Sequence, residues 1–382
     1  MVAGCGQQSA PAPKPAEPAK PAEPPKPAEP EEIRIGSWQP FTGALAAGGA
    51  MNKEGIDMAF EQRPKILGKP VKVIFSDNKS DKVEAANSMA RLIEQDKVVA
   101  VLGCYGSSLA IAGLNVSEKA GIPMIPDASN PLVTEGRKFV TRLNYQDPFA
   151  GKVMAKYAVD KLGAKTAAII QDVAQDYSVG LAQFFRKEFT KLTNNPNSIV
   201  AFVSYNTGDQ DFTAQLTFVK SKKPDVIFVP GYSADGALLA KQAREMGIKT
   251  PLVGGDAWEA PELVQIGGKA VEGLIFCSHF AVEAAKTDKA KKFIDDYRKK
   301  YNKDPNCYAA LAYDAYNLVA DKLEEIKVVD PVKLNTALRS TKNWEGVTGT
   351  ISIDETGNPV KPAIIFQVKG GKFVYMDTIQ PW

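Results

Sequence analysis

Residues Val98–Pro131 read VVAVLGCYGSSLAIAGLNVSEKAGIPMIPDASNP. Two short apolar runs, VVAVL and IPMI, have the length and make-up of buried strands. Each ends in a turn rich in small hydroxyl residues. Ser107 and Ser108 stand at the mouth of the helix after the first run, and Ser129 follows Asp127 and Ala128 after the second. In an open α/β sheet, ligands sit beyond the carboxyl ends of strands, where helix N-termini present unpaired N–H groups. Such a place suits a small carboxylate. It supplies hydroxyls and amides, but no nucleophile with a base beside it.

The alternation continues in both directions. Upstream, IRIGSW from Ile33 and VKVIFSD read as strands around the glycine-bearing helix ALAAGGAMNKEGIDMAFEQ, and KVEAANSMARLIEQ sets Ala85, Met89 and Leu92 on one helical face. Downstream, the strands TAAIIQD, IVAFVSY, DVIFVPG and PLVGGD alternate with the helices VGLAQFFRKEFTKL, DFTAQLTFVKSK and GALLAKQAREMG. Strand–helix alternation predicts parallel sheets with helices on both faces, and two sets of it predict two doubly wound α/β domains. The rhythm then changes. Three helices, TDKAKKFIDDYRKKYN, YAALAYDAYNLVADKLEEI and VVDPVKLNTALRS, precede short antiparallel strands in TGTISID, VKPAIIFQV and KGGKFVYMD. These late elements make no third unit, so the chain is expected to cross between the domains more than once.

The 382 residues are 44% hydrophobic and 24% charged with a formal charge of +3, an ordinary globular composition that argues against a nucleic-acid partner. No apolar run approaches the roughly 18 residues needed to cross a bilayer. Cys104, Cys277 and Cys307 lie in or beside apolar runs, without CxxC or metal-ligand spacing, and read as small buried hydrophobes. Cys5 differs. It ends Ala-Gly-Cys, the tail of a bacterial lipoprotein cleavage signal, and the basic and apolar regions of such a signal are expected upstream of Met1. Nine prolines between Pro11 and Pro30 follow it. That density favours extended polyproline II, so residues 1–32 read as a lipid-bearing head and a semi-rigid, coreless tether.

Reactive groups are hard to find. The one histidine, His279, follows VEGLIFC; alone it excludes a His-based zinc cage, and any Ser-His-Asp triad would have to use it. It reads as a surface or hinge residue. GYSADG from Gly231 comes nearest to a nucleophile elbow but has Asp235 where the last glycine belongs. Phosphate-binding and dinucleotide fingerprints are missing. No catalytic residue, metal or cofactor is assigned, and a large α/β chain of this kind reads as a binder.

The order and spacing of IGSWQPFTG-ALAAGG, SDNKSDKVEAAN, VAVLGCYGSS, IPMIPDASNP, IIQD-VAQDYSVG, DVIFVPGYSADG, REMGIKTPLVGGD and YAALAYDA resemble the type I periplasmic solute-binding proteins. The resemblance is to the branched-chain amino-acid receptor group of ABC importers, over Ile33 to Asp377. It implies two doubly wound lobes joined by a three-strand hinge, with lobe 1 at 33–148 plus 279–357 and lobe 2 at 149–278 plus 358–382. It also implies a monomer, held outside the cytoplasm, that serves a membrane permease and its ATPase. Carried over by position, the ligand α-carboxylate meets Ser107 and the N–H of Ser129, with Ser108 and Ala128 beside them. The ammonium meets Ser129, the carbonyl of Asp127 and the carboxylate of Asp256. Tyr177 and Tyr232 close over the ligand, and Tyr308 borders its side chain. Departures from the group's pattern are Gly48, where some relatives place an aromatic, so that an enlarged pocket is expected, and Asp127, where a small residue is common. Ser80 and Gly106 replace a cysteine pair.

The residues themselves leave alternatives: helix capping for Ser107 and Ser129, an Asx turn for Asp256, interlobe surface for Tyr177 and Tyr232, and core packing for Tyr308. At the level of function the first expectation is capture of an amino acid, aliphatic before others, for import. A ligand-sensing receptor feeding a signalling partner is the second, and urea, a short amide or an aromatic acid are alternative ligands. A hydrolase would need Ser107 or Ser233 with His279 as its base.

Overall fold

In the computed structural model, which describes residues 1–6 and 30–382, β1 (Ile33–Gln39) is the central strand of a first sheet. The Pro-rich stretch falls almost wholly outside the described residues; Cys5, within them, is exposed. Glu31–Trp382 form one compact unit.

After β1 come α1 (Ala46–Gln62), β2 (Lys65–Ile66), β3 (Lys69–Asp77), α2 (Lys82–Glu94), β4 (Ala100–Tyr105), α3 (Ser107–Ala120) and β5 (Met124–Asp127). The sheet order is β2-β3-β1-β4-β5, parallel except for the short β2 hairpin. Buried apolar periodicity makes α2: Ala85, Met89 and Leu92 are buried, and the Asp81 carboxylate accepts from the N–H groups of Val83 and Glu84 to cap its start. Every residue of β4 is buried, as expected of a strand covered on both faces.

The chain then passes through α4 (Asp147–Asp160) into a second sheet. Its parallel part is β6 (Ala167–Asp172), α5 (Asp176–Thr193), β7 (Ile199–Tyr205), α6 (Thr213–Lys222), β8 (Val226–Val229), α7 (Ser233–Glu245), β9 (Leu252–Gly254), α8 (Pro261–Gly267) and β10 (Ile275–Ser278). From β10 the chain returns through α9 (Asp288–Tyr301), α10 (Cys307–Ile326) and α11 (Pro331–Arg339) to a small hairpin, β11 (Trp344–Gly346) and β12 (Gly349–Ile351). It crosses once more to β13 (Ala363–Lys369) and β14 (Lys372–Ile379), which pair antiparallel on the far side of β10, giving the order β14-β13-β10-β9-β8-β6-β7. The return helices belong with the first sheet: α10 packs along α1 and against β4 and β5. The result is two doubly wound α/β layers.

The passages between the sheets are tied to each other. Arg142 N–H donates to the Gly357 carbonyl (2.8 Å), and the Tyr145 hydroxyl donates to the Ser278 carbonyl (3.0 Å). Cys104, Cys277 and Cys307 are buried and unpaired, as small hydrophobes. Among the described residues no helix is long and apolar enough to cross a membrane.

Candidate binding site

The carboxyl ends of β4 and β5 face the segment that follows β9, and a crevice lies between them. Tyr105, Ser107, Asp127, Ala128, Ser129, Tyr177, Tyr232, Asp256, Ala257 and Tyr308 line it, with Gly106. Eight of the nine residues expected at the site are thus together.

On the first-sheet side, Gly106 makes the turn. Its φ of +99° favours glycine, and a Cβ there would come within 2.9 Å of Leu45. The turn leaves Ser107 as the first helical residue, so its hydroxyl caps nothing in α3; it accepts from the Asn130 N–H at 3.3 Å. The Asp127–Asn130 turn is held from below by Arg142, fully buried, which donates to the carbonyls of Ala128 (2.8 Å) and Asn130 (3.1 Å) and to the Thr134 hydroxyl (2.8 Å). Burial lowers the Arg142 pKa to about 10, which leaves it charged.

On the opposite side, Asp256 is carried by a short 3-10 turn after β9. The Trp258 indole anchors that turn against Gly236 and Gly254, where a Cβ would lie 2.4 and 2.3 Å from the ring. The Tyr177 hydroxyl donates to Asp256 Oδ1 (2.9 Å), the Tyr308 hydroxyl donates to Oδ2 (3.2 Å), and His279 Nε2 lies 3.3 Å from Oδ2. Burial pushes the Asp256 carboxyl up, but His279 and Tyr177 outweigh it and hold the carboxyl below its usual range. Asp256 is therefore an anion inside the crevice. Burial holds the phenols of Tyr105, Tyr177, Tyr232 and Tyr308 well above their ordinary value, so all four stay neutral.

Of the two places expected for His279, surface or hinge, the structure puts it at a passage between the sheets, just after β10; it is 4% exposed, with its ring tilted against that of Tyr145 at 4.0 Å and Nε2 3.3 Å from Asp256 Oδ2. Two expectations need correction. Ser108 does not line the crevice; its hydroxyl donates to Asp176 Oδ2 (2.7 Å) and accepts from the Asp176 N–H (2.8 Å) at the rim. Gly48 does not enlarge the pocket. A Cβ there would lie 2.1 Å from the Tyr105 ring, so the tyrosine occupies the space that the glycine leaves.

The sequence reading also missed residues. Tyr105 meets Tyr308 edge-on at 4.9 Å and Tyr232 at 5.5 Å, and its place at the end of β4 was the available signal. Asp147 is fully buried, neither of its carboxyl oxygens has a hydrogen-bond partner, and burial with Asp256 nearby raises it to about 8. Glu259 accepts from the Ser278 hydroxyl and from the Cys307 N–H at the start of α10 (2.9 Å). Arg142, Asp147 and Glu259 carry no local motif.

An anion facing hydroxyls and amides across a crevice is complementary to a small zwitterion. Residues 32–372 match the family described as periplasmic binding protein. The chain belongs to that family. The family is extracytoplasmic, and the two doubly wound lobes are its type I fold. The leucine-binding protein LivK of Thermotoga maritima is 41% identical, covers 91% of this chain and 99% of its own, and superposes with a TM-score of 0.89. The branched-chain amino acid transporter substrate-binding protein LivJ of Streptococcus pneumoniae, solved with isoleucine, is 36% identical over 92% of this chain and 100% of its own, with a TM-score of 0.85. A leucine-, isoleucine-, valine-, threonine- and alanine-binding protein of Pseudomonas aeruginosa is 30% identical over 86% of this chain and 87% of its own.

Proposed function

We propose that this chain is the solute receptor of an ABC importer and captures an α-amino acid, with the branched-chain aliphatic ones as first candidates. The lobes are 33–148 plus 279–357 and 149–278 plus 358–382, and they close on the ligand about the three passages between them. The carboxylate is received by the Ser107 hydroxyl and N–H and the Ser129 N–H, the ammonium by Asp256, the Ser129 hydroxyl and the Asp127 carbonyl. Tyr177, Tyr232 and Tyr308 enclose it, with Ala128 as wall. The closed shape is what a permease and its ATPase would read, and a lipid on Cys5 would keep the receptor at the membrane.

The observation that carries this reading is the ionised Asp256, hydrogen-bonded by two tyrosines, on the crevice that Ser107 and Ser129 also line. Charge-assisted hydrogen bonds contribute roughly 1.5–3 kcal/mol each. Isothermal calorimetry against leucine, isoleucine, valine and alanine is expected to show micromolar or tighter binding. Asp256→Ala is expected to weaken it about 100-fold or more. Wild-type affinity in that variant would remove the assignment.

A further inference from the structure

Asp127 sits where its chemistry is not needed for a zwitterion's charges. In the parallel β4–β5 ladder Tyr105 is paired with Asp127, so both side chains leave the same face of the sheet side by side. Tyr105 fills the space over Gly48 and meets Tyr308 edge-on, which leaves the Asp127 carboxyl among aromatic walls with the Asn52 amide beside it. Asp127 borders both the crevice and a second recess whose lining includes Asn52, Gly103 and Asn144. Its Oδ2 is buried without a hydrogen-bond partner. Burial first, and the Asp256 carboxylate second, push this acid well above the usual carboxylate range.

We infer that the Asp127 carboxyl is a specificity group for the ligand side chain, pairing with a β-hydroxyl and thereby favouring threonine over its isostere valine. The inference rests on the amino-acid reading above. A purely aliphatic side chain of the same shape leaves Oδ2 buried and unpaired, whereas a hydroxyl satisfies it. Short ligands are favoured over long cationic ones, because the Tyr105 ring closes the space over Gly48.

The test is calorimetry of the full chain with alanine, valine, leucine and threonine, on the wild type and on Asp127→Ala. The wild type is expected to bind threonine at least about 10-fold more tightly than valine. In Asp127→Ala the gap between threonine and valine closes or inverts. Valine matching or exceeding threonine in the wild type overturns the inference without any variant having to fold, and so does an unchanged gap in the variant. In both cases alanine or leucine binding keeps the receptor reading intact. Absence of heat with all four amino acids overturns the receptor reading and this inference together.

Discussion

Ser107 and Ser108 are neighbours at the start of one helix, yet they serve two different regions. Ser107 faces the crevice, where Tyr177, Tyr308 and His279 surround the Asp256 carboxylate. Ser108 belongs to a latch at the rim, where its hydroxyl holds Asp176, Asn130 Nδ2 donates to the Asp176 carbonyl (2.7 Å), and Lys82 Nζ stands 3.6 Å from the Asp176 carboxylate. The crevice is where a ligand would be gripped. The latch joins the same two halves without lining that space. Affinity in a hinged receptor depends on both, because a ligand is held only as well as the closed form is populated.

Arg142 serves both regions. Its guanidinium holds the carbonyls of Ala128, a crevice wall, and of Asn130, a latch residue. Arg142→Met takes the charged donor from the Ala128 carbonyl, while the Asn130 carbonyl keeps the Val133 N–H, and a buried acceptor left unsatisfied costs about 1–3 kcal/mol. Urea denaturation of this variant is expected to show that loss, together with weakened ligand binding. An unchanged urea midpoint with full affinity would mean that the turn stands without its arginine.

A third join between the halves involves Glu259, whose carboxyl takes the Cys307 N–H and the Ser278 hydroxyl. Burial raises it to about 7 from its usual 4.5, against the pull of those hydrogen bonds. Between these two pH values the folded chain keeps a proton that the unfolded chain has lost. Stability from this group therefore falls as pH rises through that window, by an amount of order 1–3 kcal/mol. Thermal melts of wild type and Glu259→Gln between pH 5 and 7 measure its share: the variant should show the flatter decline. Parallel declines would assign the pH dependence to other groups, such as Asp235, also raised to about 7.

The crevice was more legible in the sequence than the latch, for a physical reason. Ser107, Ser129 and Asp256 each follow a short apolar strand, and in a doubly wound sheet the ends of strands converge on the ligand side. The fold was readable from the same alternation, through to the late helices and the antiparallel β13–β14 pair. The latch depends on how two halves distant in sequence meet: Ser108 and Asp176 are 68 residues apart, and nothing local marks either as the other's partner. The burial of His279 at its passage between the sheets was not legible for a related reason. Its flanks read as the end of a strand, and only the tertiary approach of Asp256 explains its burial. Gly48, on α1, was read as vacated space because the residue that fills it, Tyr105, comes from strand β4, distant in sequence.

Crevice and latch can be separated by measuring affinity and closure on the same variants. Ser107→Ala removes one charge-assisted bond and should weaken amino-acid binding roughly 10-fold. At saturating ligand the variant should still close fully, as read by fluorescence transfer between dyes on the two lobes. Ser108→Ala and Asp176→Ala touch no lining residue, so their effect runs through the closed population alone. A latch of exposed and half-buried hydrogen bonds is worth about 0.5–1.5 kcal/mol, or roughly 2–10-fold in affinity. These variants should lower the closed fraction before ligand is added. The double variant should weaken binding by less than the sum of the two, since both changes break one interaction. If Ser108→Ala instead lowers affinity as much as Ser107→Ala and leaves the closed fraction untouched, Ser108 belongs with the crevice. The two neighbouring serines would then share one task.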